Sequence, residues 1–136
     1  MIQKQADAVL GERRMIRGAY AYFRVVAPKP ADSASLPEVI SLTWRFEGEH
    51  PDDALRASMD EMEHLLNPLC FSAWSRLVLV MTFRGVREWC FYANDYPRFT
   101  AELEGALADR PPFPIQIEHN YDPKWSYWQT FVDRRA

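Results

Sequence analysis

The residues whose types and spacing could do chemistry are few: an Arg87-Glu88 pair, an Asp122-Pro123-Lys124-Trp125 run followed by Trp128, two cysteines and three histidines. Arg87 and Glu88 have the chemistry to recognise a ligand carboxylate or a charge on a partner. At the start of a strand the same pair is expected to form cross-strand contacts on a solvated face, each worth about 0.2–1 kcal/mol, and this is the preferred reading. Trp125 and Trp128 offer an aromatic platform to a ligand or partner. Their spacing of three equally suits a short helix pinned across a sheet, capped by Asp122, with Pro123 at its first position where a missing N–H is harmless. The structural role is again preferred.

The remaining reactive residues lack the company that their chemistry requires. A nucleophilic cysteine needs a base and an electropositive setting, and neither Cys70 nor Cys90 has a surrounding signature, so both are expected as buried small hydrophobes. His50, His64 and His119 show no zinc spacing, and no Cys-x-x-Cys supports them. Asp60, Glu61 and Glu63 form an acidic stretch, but residues two apart diverge around a helix, which favours a solvated face. Ser72, Ser75 and Ser126 lack a Gly-x-Ser-x-Gly setting, and the five glycines form no phosphate loop. No catalytic residue, metal site or cofactor is expected, and the balance leans away from an enzyme.

The chain has 136 residues, enough for one domain with a core of its own, and 14% of them are aromatic. A formal charge of −3 and a pI near 5.6 leave no basic footprint for nucleic acid. The longest apolar run, Leu77 to Met81, is far too short to cross a membrane. Two cysteines and no visible secretory signal point to a reducing, cytoplasmic compartment.

The elements that must position these residues follow from periodicity. Ala19 to Val26 is a strand, rich in aromatic and β-branched residues, and Ala27 to Pro37, with three prolines, is expected as a mobile loop. Glu38 to Phe46 alternates as a second strand with Ile40, Leu42, Trp44 and Phe46 inward. A helix opens at Asp52-Asp53, keeps Leu55, Met59, Met62, Leu65, Leu66 and Leu69 on one stripe, and ends at Asn67-Pro68. Ser75 to Phe83 and Val86 to Tyr92 form a hairpin around Arg84-Gly85. Asn94-Asp95 caps a second helix carrying Phe99, Leu103, Ala106 and Leu107, and Ile115 to His119 is the last strand before the tail. The result is an α+β chain: residues 1–16 a leader, then a single domain over 17–136. Its fold is a ferredoxin-like antiparallel sheet in which an extra strand precedes β-α-β-β-α-β, with helices on one face and a C-terminal helical tail.

Two stretches are distinctive together. One runs from Thr82 through Gly85 and Arg87-Glu88-Trp89-Cys90-Phe91-Tyr92 into an acid-capped helix with Phe99; the other is Asp122-Pro123-Lys124-Trp125-Ser126 with aromatics to Phe131. With the leucine-containing acidic helix around Glu61 to Leu66, they resemble the family called domain of unknown function 695, over residues 17–133. Lys124 stands where that family usually has an acid, and Val132-Asp133 where it ends in Tyr-Pro. The same pattern is similar to regulator of ribonuclease activity B, which implies an interaction role rather than chemistry. The resemblance names no activity, and fold does not imply function. The expectation is a non-enzymatic protein-binding or regulatory module, such as an inhibitor or an immunity-type protein, engaging a protein partner or a second copy. Arg87, Glu88, Asp122, Trp125 and Trp128 are its candidate surface. The alternative is an enzyme or small-molecule sensor whose pocket is walled by Trp44, Trp74, Trp89 and Trp125, with Arg87, Glu88 and His119 as polar members.

Overall fold

Alternating strands and two amphipathic helices assemble as the pattern dictates, in a computed structural model that describes residues 12–16 and 19–132. The strands are β1 Glu12–Ile16, β2 Ala19–Val25, β3 Glu38–Arg45, β4 Ser75–Phe83, β5 Val86–Ala93 and β6 Ile115–Tyr121. The helices are α1 Asp53–Leu65, α2 Asn67–Cys70, α3 Tyr96–Ala106 and α4 Ser126–Val132. The six strands form one sheet in the order β1-β2-β4-β5-β3-β6, and every pairing is antiparallel. Its β4-β5-β3-β6 portion is the ferredoxin-like unit, widened by β2 and β1 on the β4 side. Strand β1 takes residues that the sequence reading placed in a leader, and residues 1–11 lie outside the described residues. Among the described residues no helix is long and apolar enough to cross a membrane.

Both faces of the sheet are covered. Ile40, Leu42 and Trp44 of β3 meet Met59, Met62 and Leu66 from the first helical stretch and Phe99 and Leu103 of α3. On the reverse, Val39, Cys90 and Tyr92 meet Trp125, with Tyr127, Trp128 and Phe131 of the tail packed around them. The tail helix therefore lies opposite α1 and α3, and β5 runs between two cores. A bulge in β4 between Leu77 and Leu79 serves this arrangement. The extra residue, Val78, joins Leu79 on the tail face while Leu77 and Val80 serve the helix face, and its carbonyl accepts from the Val26 amide at 2.9 Å.

Local chemistry explains the joints. Arg84 and Gly85 both have positive φ, 47° and 77°, the demand of a two-residue hairpin turn. A Cβ on Gly85 would sit 2.7 Å from the Phe46 carbonyl oxygen, so the turn needs glycine for space as well as for φ. Asp52 caps α1, accepting from the Leu55 amide at 2.8 Å. Asn67-Pro68, expected only to end that helix, also starts α2, because proline is tolerated in a first turn. Asp95 stands at the N-cap of α3 but makes no side-chain cap bond.

The proline-bearing segment 27–37 is a loop, as expected, but it is packed against the tail. Ala27 and Leu36 are buried in the tail-face core, and Ser33–Ser35 form a 3-10 turn. The Pro37 carbonyl accepts from the Asp122 amide at 2.5 Å. Apolar residues spaced between the prolines give this stretch something to bury, and the tail is what it packs against.

Candidate functional site

Successive residues of a strand point to opposite faces, so Arg87 and Glu88 never act as a pair. Arg87 enters the helix face and Glu88 the tail face. Neither lies on a solvated surface, contrary to the preferred sequence reading: Arg87 is 9% exposed and Glu88 8%. A central strand with cores on both sides leaves no wet face for them.

On the tail face the polar groups are closely partnered. Glu88 Oε2 accepts from Ser41 Oγ at 2.7 Å and from the Tyr127 hydroxyl at 2.8 Å. Burial, and after it the charge of Glu88, push the Tyr127 phenol above its ordinary pKa. Asp122 does accept from the first amides of α4, but not as the N-cap expected: the helix begins at Ser126, Pro123-Lys124 form a turn rather than its first position, and Trp125 precedes it. Asp122 Oδ1 accepts from the Ser126 amide at 2.8 Å, and its Oδ2 from the Tyr127 amide at 2.9 Å and the Tyr92 hydroxyl at 2.7 Å. Burial alone would raise its pKa, but the Tyr127 amide, the Tyr92 hydroxyl and the Ser126 amide together hold it below the ordinary 3.8.

Trp125 is wholly buried and stacks on Tyr92 with ring centres 3.9 Å apart. Its indole donates to the Leu36 carbonyl at 3.0 Å, and its backbone sits at φ 60°. Non-glycine residues rarely adopt that region, so the surrounding contacts must hold it there. Trp128 is half-buried, edge-on to Trp125 at 6.1 Å, and its own indole N–H is buried without a hydrogen-bond partner. The Asp122–Trp128 feature is thus a latch that fastens the tail to the sheet.

Between this latch and β6 lies a cavity of about 420 Å³. Ser41, Glu88, Glu118, Asn120, Tyr127 and Thr130 are among its walls, Asp122 borders it, and among the described residues no lysine or arginine lines it. Its outer wall is an edge strand, since β6 pairs with β3 alone. Tyr121 at its end is 72% exposed, whereas His119 is stacked on Tyr96 of α3 at 3.6 Å.

The helix face carries a second cavity, of about 480 Å³, with Arg87 in its wall. Arg87 Nε donates to Thr82 Oγ1 at 2.9 Å. Nearby, Glu63 accepts from Arg24 at 2.5 Å and from the Trp89 indole at 3.0 Å. Glu63 is therefore engaged and half-buried, unlike Glu61, which stays exposed and pairs with Arg110. The participants that sequence reasoning missed are Arg24, Arg56, Tyr92 and Tyr127. Their one local signal was a polar group inside an apolar or aromatic stretch, as with Tyr92 after Trp89-Cys90-Phe91.

The tryptophans expected to wall a pocket do not. Trp44, Trp89 and Trp125 lie in the packed cores, Trp74 is half-buried beneath the Arg98 guanidinium at 4.2 Å, and neither cavity has a tryptophan wall. Both cysteines are buried and free. Burial, then Glu63, pushes the Cys70 thiol up to about 12, and burial raises that of Cys90 well above its ordinary value. Thiols so placed are protonated and inert. Among the described residues no three His, Cys, Asp or Glu side chains gather to hold a metal ion.

No curated protein and no solved structure matches this chain, and similarity to regulator of ribonuclease activity B is not confirmed. A family model does match, over residues 19–132, spanning β2 to β6, both helix layers and the tail latch just described. The chain belongs to DUF695, a family of unknown function.

Proposed function

We propose that this domain is a non-enzymatic, cytoplasmic regulatory module that binds a partner protein by taking an extended, basic segment along β6. The observation that carries this reading is the pairing of a seven-residue edge strand with an acid-lined cavity on its flank. Edge strands are commonly defended by lysine or proline, and β6, Ile-Gln-Ile-Glu-His-Asn-Tyr, contains neither. A peptide added to such an edge gains main-chain hydrogen bonds, and alternate side chains set specificity.

The register shows which side chains would be read. Glu118 and Asn120 lie opposite Ser41 and Val39, on the tail face, so alternate residues of an added strand would lie beside the acidic cavity. Glu88 is buried there with hydroxyl donors but no cation within ion-pair distance among the described residues. A lysine or arginine from the partner would meet a carboxylate whose charge is uncompensated in a low-dielectric setting.

Titration of the labelled protein with extended nine-residue peptides, followed by amide NMR, tests the reading. Peptides with lysine or arginine at alternate positions should shift the amides of residues 115–121 and of Tyr127. Glu118→Lys should weaken them at least several-fold. Peptides that leave 115–121 unmoved, or acidic peptides that bind as well as basic ones, would overturn it. Sedimentation that shows a dimer through β6 would replace the foreign partner with a second copy.

A further inference from the structure

Arg87 poses a problem that the tail face does not. A guanidinium has five N–H donors, and burying charged donors without acceptors is costly. Here the side chain is nine-tenths buried, yet its single hydrogen bond among the described residues is Nε to Thr82 Oγ1. The nearest buried carboxylate, Glu63, is already taken by Arg24 and by the Trp89 indole. No acid lies within ion-pair distance of Arg87 among the described residues. The two terminal nitrogens have no acceptor among the described residues, and they are not sealed in the core but open to a cavity of about 480 Å³, a volume typical of small-molecule sites.

We infer that this cavity, on the face opposite the edge-strand groove, binds a small monocarboxylate whose oxygens take both terminal nitrogens of Arg87. The fork of a guanidinium matches a carboxylate through two parallel bonds. Charge in the lining selects a single negative charge. Arg24, Arg56 and Arg87 stand against Asp60 and Glu63, one positive charge in excess. Arg56 makes no ion pair among the described residues and sits on the exposed side, where it screens an entering anion from Asp60. The rest of the wall suits an apolar body: Val26 and Leu77 are buried in it with Arg87, and Phe71 is 40% exposed. Burial and, after it, the neighbouring Arg56 hold the Arg87 pKa below its ordinary value, so an arriving anion relieves an existing strain of charge.

The test uses the whole chain with benzoate and hexanoate as probes, benzamide as the neutral control and inorganic phosphate as the more highly charged one. Benzoate or hexanoate should shift the Arg87 Nε–Hε and Trp89 indole NMR signals in a saturable way at millimolar concentration or below. Benzamide should leave both unmoved, and phosphate should bind at least ten-fold more weakly. Arg87→Met should abolish the shift of the Trp89 signal, and Arg87→Lys, which keeps charge but loses the fork, should weaken binding about ten-fold. Arg56→Ala, at an exposed helical position, should fold normally and weaken binding several-fold, so the site stays testable if the Arg87 variants do not fold. Failure of both carboxylates to shift either signal, equal binding by benzamide or phosphate, or full binding by Arg56→Ala and Arg87→Met would each overturn the inference. Peptide binding at β6 is read from other amides on the other face, so the two outcomes are independent.

Discussion

Arg87 and Glu88 are neighbours in sequence, similar in burial and opposite in circumstance. The tail face closes around Glu88: a serine and a tyrosine donate to it, and a cap, a stacked indole and a second tyrosine hold the covering helix in place. The helix face leaves Arg87 with one acceptor and an adjoining cavity. A buried charge whose bonds are complete holds structure together. One whose donors open into a cavity has room for a small ligand beside it.

Substitutions on the two faces should separate these roles. The largest effect is expected from Trp125→Ala, which removes a wholly buried ring, its stack on Tyr92 and its bond to Leu36; urea unfolding should show a loss of about 3–5 kcal/mol. Glu88→Ala should cost about 1.5–3 kcal/mol by the same measurement, because Ser41 and Tyr127 lose their acceptor. Glu88→Gln, which keeps an acceptor, should cost less, and equal losses would count against the hydrogen-bond account.

Asp122→Ala should cost about 0.5–2 kcal/mol at neutral pH as a lost cap. It should also change the acid limb. The folded pKa of Asp122 lies below its ordinary 3.8, so its contribution is complete above 3.8 and fades as pH falls through the lower folded value. Tryptophan fluorescence against pH should show that part of the acid transition in the parent and not in the variant. The smallest effect on stability is expected from Arg87→Met. Replacing a half-desolvated charge that makes one protein hydrogen bond among the described residues with an apolar side chain of similar length should change unfolding by less than about 1 kcal/mol or stabilise the fold. A loss as large as that of Glu88→Ala would erase the contrast between the faces.

Much of the scaffold was legible in the sequence, because alternation, the Arg84-Gly85 turn and the Asp52 cap are local signals. Tail docking through Asp122 and Trp125 was legible too, from cap chemistry and spacing. The positions of Arg87 and Glu88 were not. Charged residues are seldom buried, and treating them as solvated follows that rule; the rule fails here because the sheet is covered twice. One sign was present: Trp89-Cys90-Phe91-Tyr92 is an unbroken apolar run, which a strand buried on both faces produces. The Arg24–Glu63 pair had no local sign at all, since its members are 39 residues apart. Segment 27–37 was legible as a loop from its prolines, but they limit backbone shape without deciding whether Leu36 finds a core, so its packing was not.

The bond from Trp125 to Leu36 joins residues 89 apart, and every strand of the sheet is made before the tail. During synthesis the surface of Val39, Cys90 and Tyr92 has no cover until the ribosome has released residues 122–131. Closing so long a loop is slow relative to forming the Arg84-Gly85 hairpin, so the tail is the last layer to dock. The nascent domain thus passes through a stage with its helix face complete and an apolar sheet face bare. At that stage the exposed apolar face is the part of the domain most prone to aggregate, and docking of Trp125 ends the exposure.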